Sequence, residues 1–177
     1  MDGLQIIVNC FVPWQDGFVM LQKPRRGWWY LPGGKVEDDE LWRHGAMREF
    51  SEESGLTLSD ATLRGIYRVS IAAGQESHAK ERIIAQFVGH GASGTLLDEH
   101  REGKLSVIKA GEIGNLPMDE GDRLMVYHTL AAEMRGDGVV FFGRFSYDSD
   151  HQVESWTIDP GNYPIPFDSS LLTGGET

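Results

Sequence analysis

The chain has 177 residues, 40% of them hydrophobic, and a formal net charge of −11. That length and apolar content suit one domain with a sizeable core, and the acidic balance argues against a protein that holds long nucleic acid, because backbone binding runs on clustered Lys and Arg displacing counterions. Single nucleotides remain allowed; with no apolar span of about 18 residues and no basic region leading into a long apolar stretch at the N-terminus, the expectation is no membrane, no secretion and a cytosolic location.

In chain order, the first strands are expected at 4 to 12 and 17 to 22, joined by a hairpin at Gln15-Asp16-Gly17. Cys10, the single cysteine, lies in the apolar run LQIIVNCFV and reads as a core residue, with a reactive thiol as the lesser reading. The segment QKPRRGWWYLPGGK follows, in which Lys23, Arg25, Arg26 and Lys35 flank the glycine turn Pro32-Gly33-Gly34. Two readings stay open for these cations: a patch that steers a polyanion, or a solvated loop that balances nearby acids. The glycine turn itself offers free backbone groups suited to an anion or a metal.

A helix is expected over 39 to 54, with Asp38 and Asp39 as N-cap residues, Glu40 in the first turn and Gly55 as a left-handed C-cap. Within it Glu49, Glu52 and Glu53 occupy positions i, i+3 and i+4, so they should share one face and repel. Arg48 can offset part of that charge; hard divalent cations are the usual further partner of clustered oxygen ligands, and a solvated acidic face is the bland alternative. Gly45 costs about 1 kcal/mol relative to alanine inside a helix, which suggests close approach of a ligand, such as a metal-bound phosphate, to this side.

Further strands are expected at 61 to 72, 82 to 90, 104 to 109, 138 to 147 and 153 to 158, and a second helix at about 119 to 135. A hairpin at Asp148-Ser149-Asp150 joins the last two strands. The loop LLDEHREGKL carries Asp98, Glu99 and Glu102, and after Asp159 the composition shifts to PGNYPIPFDSSLLTGGET. The expected division is a domain over 1–159 and a Pro/Gly-rich extension over 160–177, packed loosely or not at all.

Gly34, five residues, Glu40, seven residues, Arg48-Glu49-Phe50, one residue, Glu52-Glu53, one residue, Gly55-Leu56 resembles the Nudix box at every defining position. The resemblance implies an α/β fold, an α/β/α sandwich with a mixed central sheet, and hydrolysis of a nucleoside diphosphate linked to a further group. It also implies Mg²⁺, with Mn²⁺ as a substitute, held by Glu49, Glu52 and Glu53 and the Gly34 carbonyl, with Arg48 orienting the glutamates and Glu40 bracing the loop by a salt bridge. Members often take a further ligand or general base from a carboxylate outside the box; Glu102, beside Gly103 at a strand edge, is preferred here and Glu99 held in reserve.

WWYLPGGKVE, GVVFFGRFSYD and VESWTIDP extend a weaker resemblance, over roughly residues 4 to 159, to the MutT-like branch that hydrolyses oxidised purine nucleoside triphosphates. That branch reads the base near the start of the last helix, where this chain has Asp119, Glu120 and Asp122; helix capping is the competing reading, and weighs more for Asp119 than for Asp122. Two departures are Tyr30, where the branch has a base-reading asparagine, and Gly121, which interrupts the acidic pair. Trp28 and Trp29 are candidate stacking platforms, one of them expected in the core. Residues 71 to 74, Ile-Ala-Ala-Gly, lack the proline of ADP-ribose-type members and the tyrosine of diadenosine-polyphosphate-type members. The leading expectation is a triphosphate pyrophosphohydrolase, monomer or homodimer, acting on a small nucleotide; ADP-sugar or dinucleotide hydrolysis and a non-catalytic nucleotide sensor are the alternatives.

Overall fold

The computed structural model describes residues 3–165. The first half contains β1 (Gln5–Phe11), β2 (Pro13–Trp14), β3 (Gly17–Gln22), β4 (Trp29–Tyr30), β5 (Gly33–Lys35), α1 (Trp42–Ser54) and β6 (Leu56–Thr57). Then come β7 (Asp60–Ile71), β8 (Lys80–His90), β9 (Ser93–Gly94), β10 (Glu99–His100), β11 (Gly103–Ile108), a 3₁₀ turn (Ala110–Asn115), α2 (Glu120–Arg135), β12 (Phe141–Tyr147) and β13 (Val153–Asp159).

A six-stranded mixed sheet runs in the order β13-β12-β7-β8-β1-β5. β1 pairs parallel with β8 and β12 parallel with β7, the other neighbours antiparallel. Strands covered on both faces must be apolar on both, and β1 is: Val8 and Cys10 pack with Ala46 and Phe50 of α1, while Phe11 packs with Val126 and Tyr127 of α2. Burial pushes the Cys10 thiol up to about 12, so it is inert core as the first reading had it. β8 alternates in the same way, sending Ala85 and Phe87 toward α1 and Gln86 to α2, where its amide donates to the Met125 carbonyl at 3.2 Å and to Thr129 Oγ1 at 2.6 Å. On β7 a bulge between Leu63 and Gly65 shifts the alternation by one, so Ala61 faces α1 whereas Tyr67 and Val69 face α2.

A second sheet, β10-β11-β3-β2 with β4 on β3, leans on both helices: Val19 and Leu21 pack with α1, Phe18 and Met20 with α2. The result is the expected α/β/α sandwich. α2 is buried almost all round from Leu124 to Ala132, as a helix wedged between two sheets must be.

Three expectations need correction. α1 begins at Trp42, not 39, and its N-cap, Leu41, makes no side-chain cap; Glu37–Glu40 form a separate turn, in which the Glu37 N–H donates to the Glu40 carboxylate at 3.2 Å, so neither Asp38 nor Asp39 caps the helix. The C-cap is as expected, Gly55 at φ 78°. Chain beyond Asp159 packs as far as it is described: the Tyr163 hydroxyl donates to Asp137 at 3.0 Å, its ring meets Phe141 edge-on, and Ile165 lies against the α2 core. The rest of the expected extension, 166–177, lies outside the described residues. Gly45 makes room for a protein group and not a ligand: an added methyl would lie 2.9 Å from the Glu40 carboxylate and 3.5 Å from Val8.

Candidate active site

The box assembles around Arg48. Its Nε and Nη2 donate to the two Glu40 carboxylate oxygens at 2.6 and 3.0 Å, and Nη2 also reaches the Lys35 carbonyl at 3.4 Å. This bidentate pair ties the loop before α1 to the middle of the helix, and Arg48's hydrogen bonds hold the Glu40 carboxyl below its ordinary range. The remaining nitrogen, Nη1, donates to Glu49 at 3.0 Å and Glu52 at 3.3 Å.

The three helix glutamates therefore do not act as one face. Glu52 swings outward to Arg48 with its side chain 56% exposed. Glu49 turns toward Gly34, which lies in strand β5 on the edge of β1 and not in the expected turn; a methyl added there would lie 2.6 to 2.7 Å from its carboxylate, so only glycine lets that group come so close. Glu53 goes inward: the residue is 2% exposed and neither carboxylate oxygen makes a well-formed hydrogen bond, with only the Gly33 backbone and the Lys23 charge working to keep it ionised. Burial first, then the charges of Glu102 and Glu49, push its carboxyl up to about 8. Among the described residues no three acidic, His or Cys side chains converge as a ready metal cage, because Arg48 holds Glu52 aside. An orphaned buried carboxylate beside a second one is nonetheless the donor chemistry a hard divalent cation takes, since leaving it uncompensated is costly. Of the outlying acids, Glu102, in the turn before β11, is the one whose charge bears on Glu53.

Across β5 from Glu49 opens a cleft of about 600 Å³ on the α2 face of the main sheet. Lys23, Arg25, Arg26 and Lys35 all line it, so the basic segment does face a cavity. Its floor comes from β1 and β8, with Asn9 and Arg82, and its roof from Asp119 and Asp122 at the start of α2. Asp119 caps the helix: it accepts the Asp122 N–H at 3.0 Å and the Tyr147 hydroxyl at 2.6 Å on one oxygen, and lies 3.3 Å from His151 Nε2 on the other. Both oxygens are engaged, so the capping reading holds for Asp119. Asp122 is different. No described residue hydrogen-bonds its carboxylate, and burial, then the Asp119 charge, pushes its pKa well up, with Lys23 and Arg82 opposing.

Gly121 has a steric cause: any side chain there would overlap the Tyr147 hydroxyl on its way to Asp119. Trp28 and Trp29 are not among the residues lining the cleft. Trp29 packs against the α2 core, and Trp28 sits under the Arg26 guanidinium at 4.8 Å. Tyr30 lines the cleft instead, with Lys23 Nζ 4.9 Å above its ring. Sequence reasoning also passed over Asn9, whose Oδ1 is buried without a partner, and Arg82, whose Nε is likewise unpartnered. Asn9 did carry a signal, as the one polar residue amid the apolar run of β1; nothing local marks Arg82.

A model of the NUDIX domain matches residues 3–127. The uncharacterized Nudix hydrolase YvcI of Bacillus subtilis is 36% identical over 160 residues, 90% of this chain and 98% of that protein. The 8-oxo-dGDP phosphatase NUDT18 of Mus musculus is 34% identical over 64 residues, a match spanning only 34% of this chain and 20% of that one. Among solved structures, the mutator MutT protein from Bacillus halodurans superposes with a TM-score of 0.78 at 35% identity, covering 88% of this chain and 98% of that chain. The E. coli ORF135 protein shares the fold at a TM-score of 0.62 and 20% identity.

Proposed function

Because the chain belongs to the Nudix hydrolase family, enzymes that act on phosphoric anhydrides, we propose that it cleaves a purine nucleoside triphosphate, with oxidised bases among its best substrates, to nucleoside monophosphate and pyrophosphate. The observation that carries this reading is the cleft itself, whose lining joins the cations Lys23, Arg25, Arg26 and Lys35 to the Asp122 carboxyl. Glu53 and Glu49 would hold Mg²⁺ or Mn²⁺, with the Gly34 carbonyl and Glu102 as further donors; Glu52 would join them only by leaving Arg48. When bound, the ion supplies charge neutralisation for the diphosphate and acidifies water.

The chain's own groups do the rest. Lys23, Arg25 and Lys35 orient the phosphates by charge. Arg48 fixes Glu49 and, through Glu40, the loop that carries Gly34. Glu102, close enough for its charge to raise Glu53, accepts the proton of the attacking water. Asp122, whose carboxyl is pushed up by burial and the Asp119 charge, can accept from a purine edge and, in its neutral form, donate to it. On this assignment Glu102→Gln should lower kcat by about 10-fold or more, as expected for loss of a general base, and Glu99→Gln should do so far less; steady-state kinetics giving the reverse order would transfer the role to Glu99.

A second reading, hydrolysis of a nucleoside diphosphate linked to a sugar or a second nucleoside, draws on one feature: Lys80 and Arg82 also line the cleft, cations that a plain triphosphate need not use. The deciding experiment is a panel of normal and oxidised triphosphates, ADP-ribose and dinucleoside polyphosphates with Mg²⁺, scoring pyrophosphate and orthophosphate separately. Preferred release of pyrophosphate from a purine triphosphate is expected; preference for a dinucleotide or ADP-ribose would establish the second reading.

A further inference from the structure

The β12–β13 turn brings His151 into the cleft wall. Its backbone is left-handed, φ 63°, and is held by its own N–H donating to the Asp148 carbonyl at 3.2 Å. In that conformation the imidazole lies beside the Tyr147 ring, centroids 4.8 Å apart at 35°, and both side chains line the cleft. The Trp28 ring is 6.3 Å away. Its Nε2 meets Asp119, the carboxylate that also takes the Tyr147 hydroxyl and the Asp122 N–H. One buried carboxylate thus fixes the imidazole, the phenol and the first turn of the helix that carries Asp122.

From this arrangement we propose that His151, backed by Tyr147, is the stacking platform of the nucleobase, selecting a purine whose edge meets Asp122. The inference rests on the nucleotide-hydrolase reading above. A planar base bridging to Asp122 lies next to whatever Asp119 holds, and Asp119 holds these two rings. The other rings are less well placed: Trp29 packs against the α2 core, Trp28 is covered by Arg26, Lys23 sits over the Tyr30 ring, and His78, exposed before β8, has no contact with Asp119 among the described residues. His151 keeps 28% of its side chain exposed, enough surface for a ligand to cover.

A mere partner for Asp119 and a stacking surface are separable by substitution. His151→Gln keeps a polar group within reach of Asp119 but removes the ring; His151→Phe keeps a flat ring and removes the Nε2 contact with Asp119. With purine and pyrimidine triphosphates compared, Gln is expected to raise KM for the purine by about 5- to 150-fold, the range set by the loss of one stacked base, with the loss falling on KM more than kcat and the purine preference shrinking. Phe is expected to recover most of the purine affinity. A Gln variant that keeps the preference while Phe loses it, or an equal loss on every nucleotide, overturns the stacking role. Calorimetric binding of purine and pyrimidine nucleoside monophosphates to the same three proteins decides the matter independently of hydrolysis. If the wild type cleaves no triphosphate yet binds purine monophosphate more weakly as the Gln variant, the proposed function fails and the platform stands; absence of purine binding by the wild type, or no weakening in Gln, removes the platform.

Discussion

Glu53→Gln should reduce turnover by about 100-fold or more, the scale of losing a group that stabilises developing charge, and should leave the fold intact. Gln keeps the shape of the side chain, and the site it fills is already built around an inward-facing group without partners. Its effect on stability has the opposite sign. An ionised Glu53 is buried beside Glu49 and within the field of Glu102, so the folded chain holds its proton up to about pH 8 while the unfolded chain gives it up in the ordinary glutamate range. Between those limits the folded state binds more protons, and the metal-free protein therefore loses stability as pH rises through that window. The Gln variant, unable to ionise, should lack this slope and melt higher than the wild type at the alkaline end. Thermal melts without divalent ions, beside steady-state kinetics at saturating Mg²⁺, test both halves; near-wild-type turnover would remove Glu53 from the site.

Asp122→Ala should lower kcat/KM for the preferred purine by about 10- to 100-fold, the cost of leaving a buried polar edge without its partner, and should flatten the preference among bases. Asp122→Asn should retain more, because an amide reproduces the donor and acceptor of the protonated acid. Competition assays with purine and pyrimidine triphosphates read this directly. Equal loss on all nucleotides would make Asp122 structural, a support of the α2 start like Asp119.

Much of this was legible before any coordinates. Fixed spacing over residues 34 to 56 carried the family, alternating apolar residues carried the seven longer strands, and Gly55 marked the end of α1 where the structure has it. What escaped depends on contacts between distant segments. Helical spacing put Glu49, Glu52 and Glu53 on one face, yet Glu52 turns out to Arg48, itself paired with Glu40, while Glu53 is buried. Gly121 looked like a break in an acidic pair; its reason is Tyr147, 26 positions further on. Trp28 and Trp29 carried the composition of a stacking wall, but β4 pairs with β3 and turns Trp29 into the core. His151 offered no motif at all, only a place in a hairpin.

Central to the account is the proposal that Glu53, a buried carboxyl pushed up to about 8, gives up its proton to bind a divalent cation. Calorimetric titration of Mg²⁺ into the metal-free protein near pH 7, repeated in buffers of different ionisation enthalpy, measures the protons released per ion bound. Metal binding must displace the proton from a ligand whose carboxyl has been pushed up to about 8, so about one proton should be released by the wild type and about none by Glu53→Gln. Binding with no proton release in the wild type, or the same release in both proteins, would contradict it.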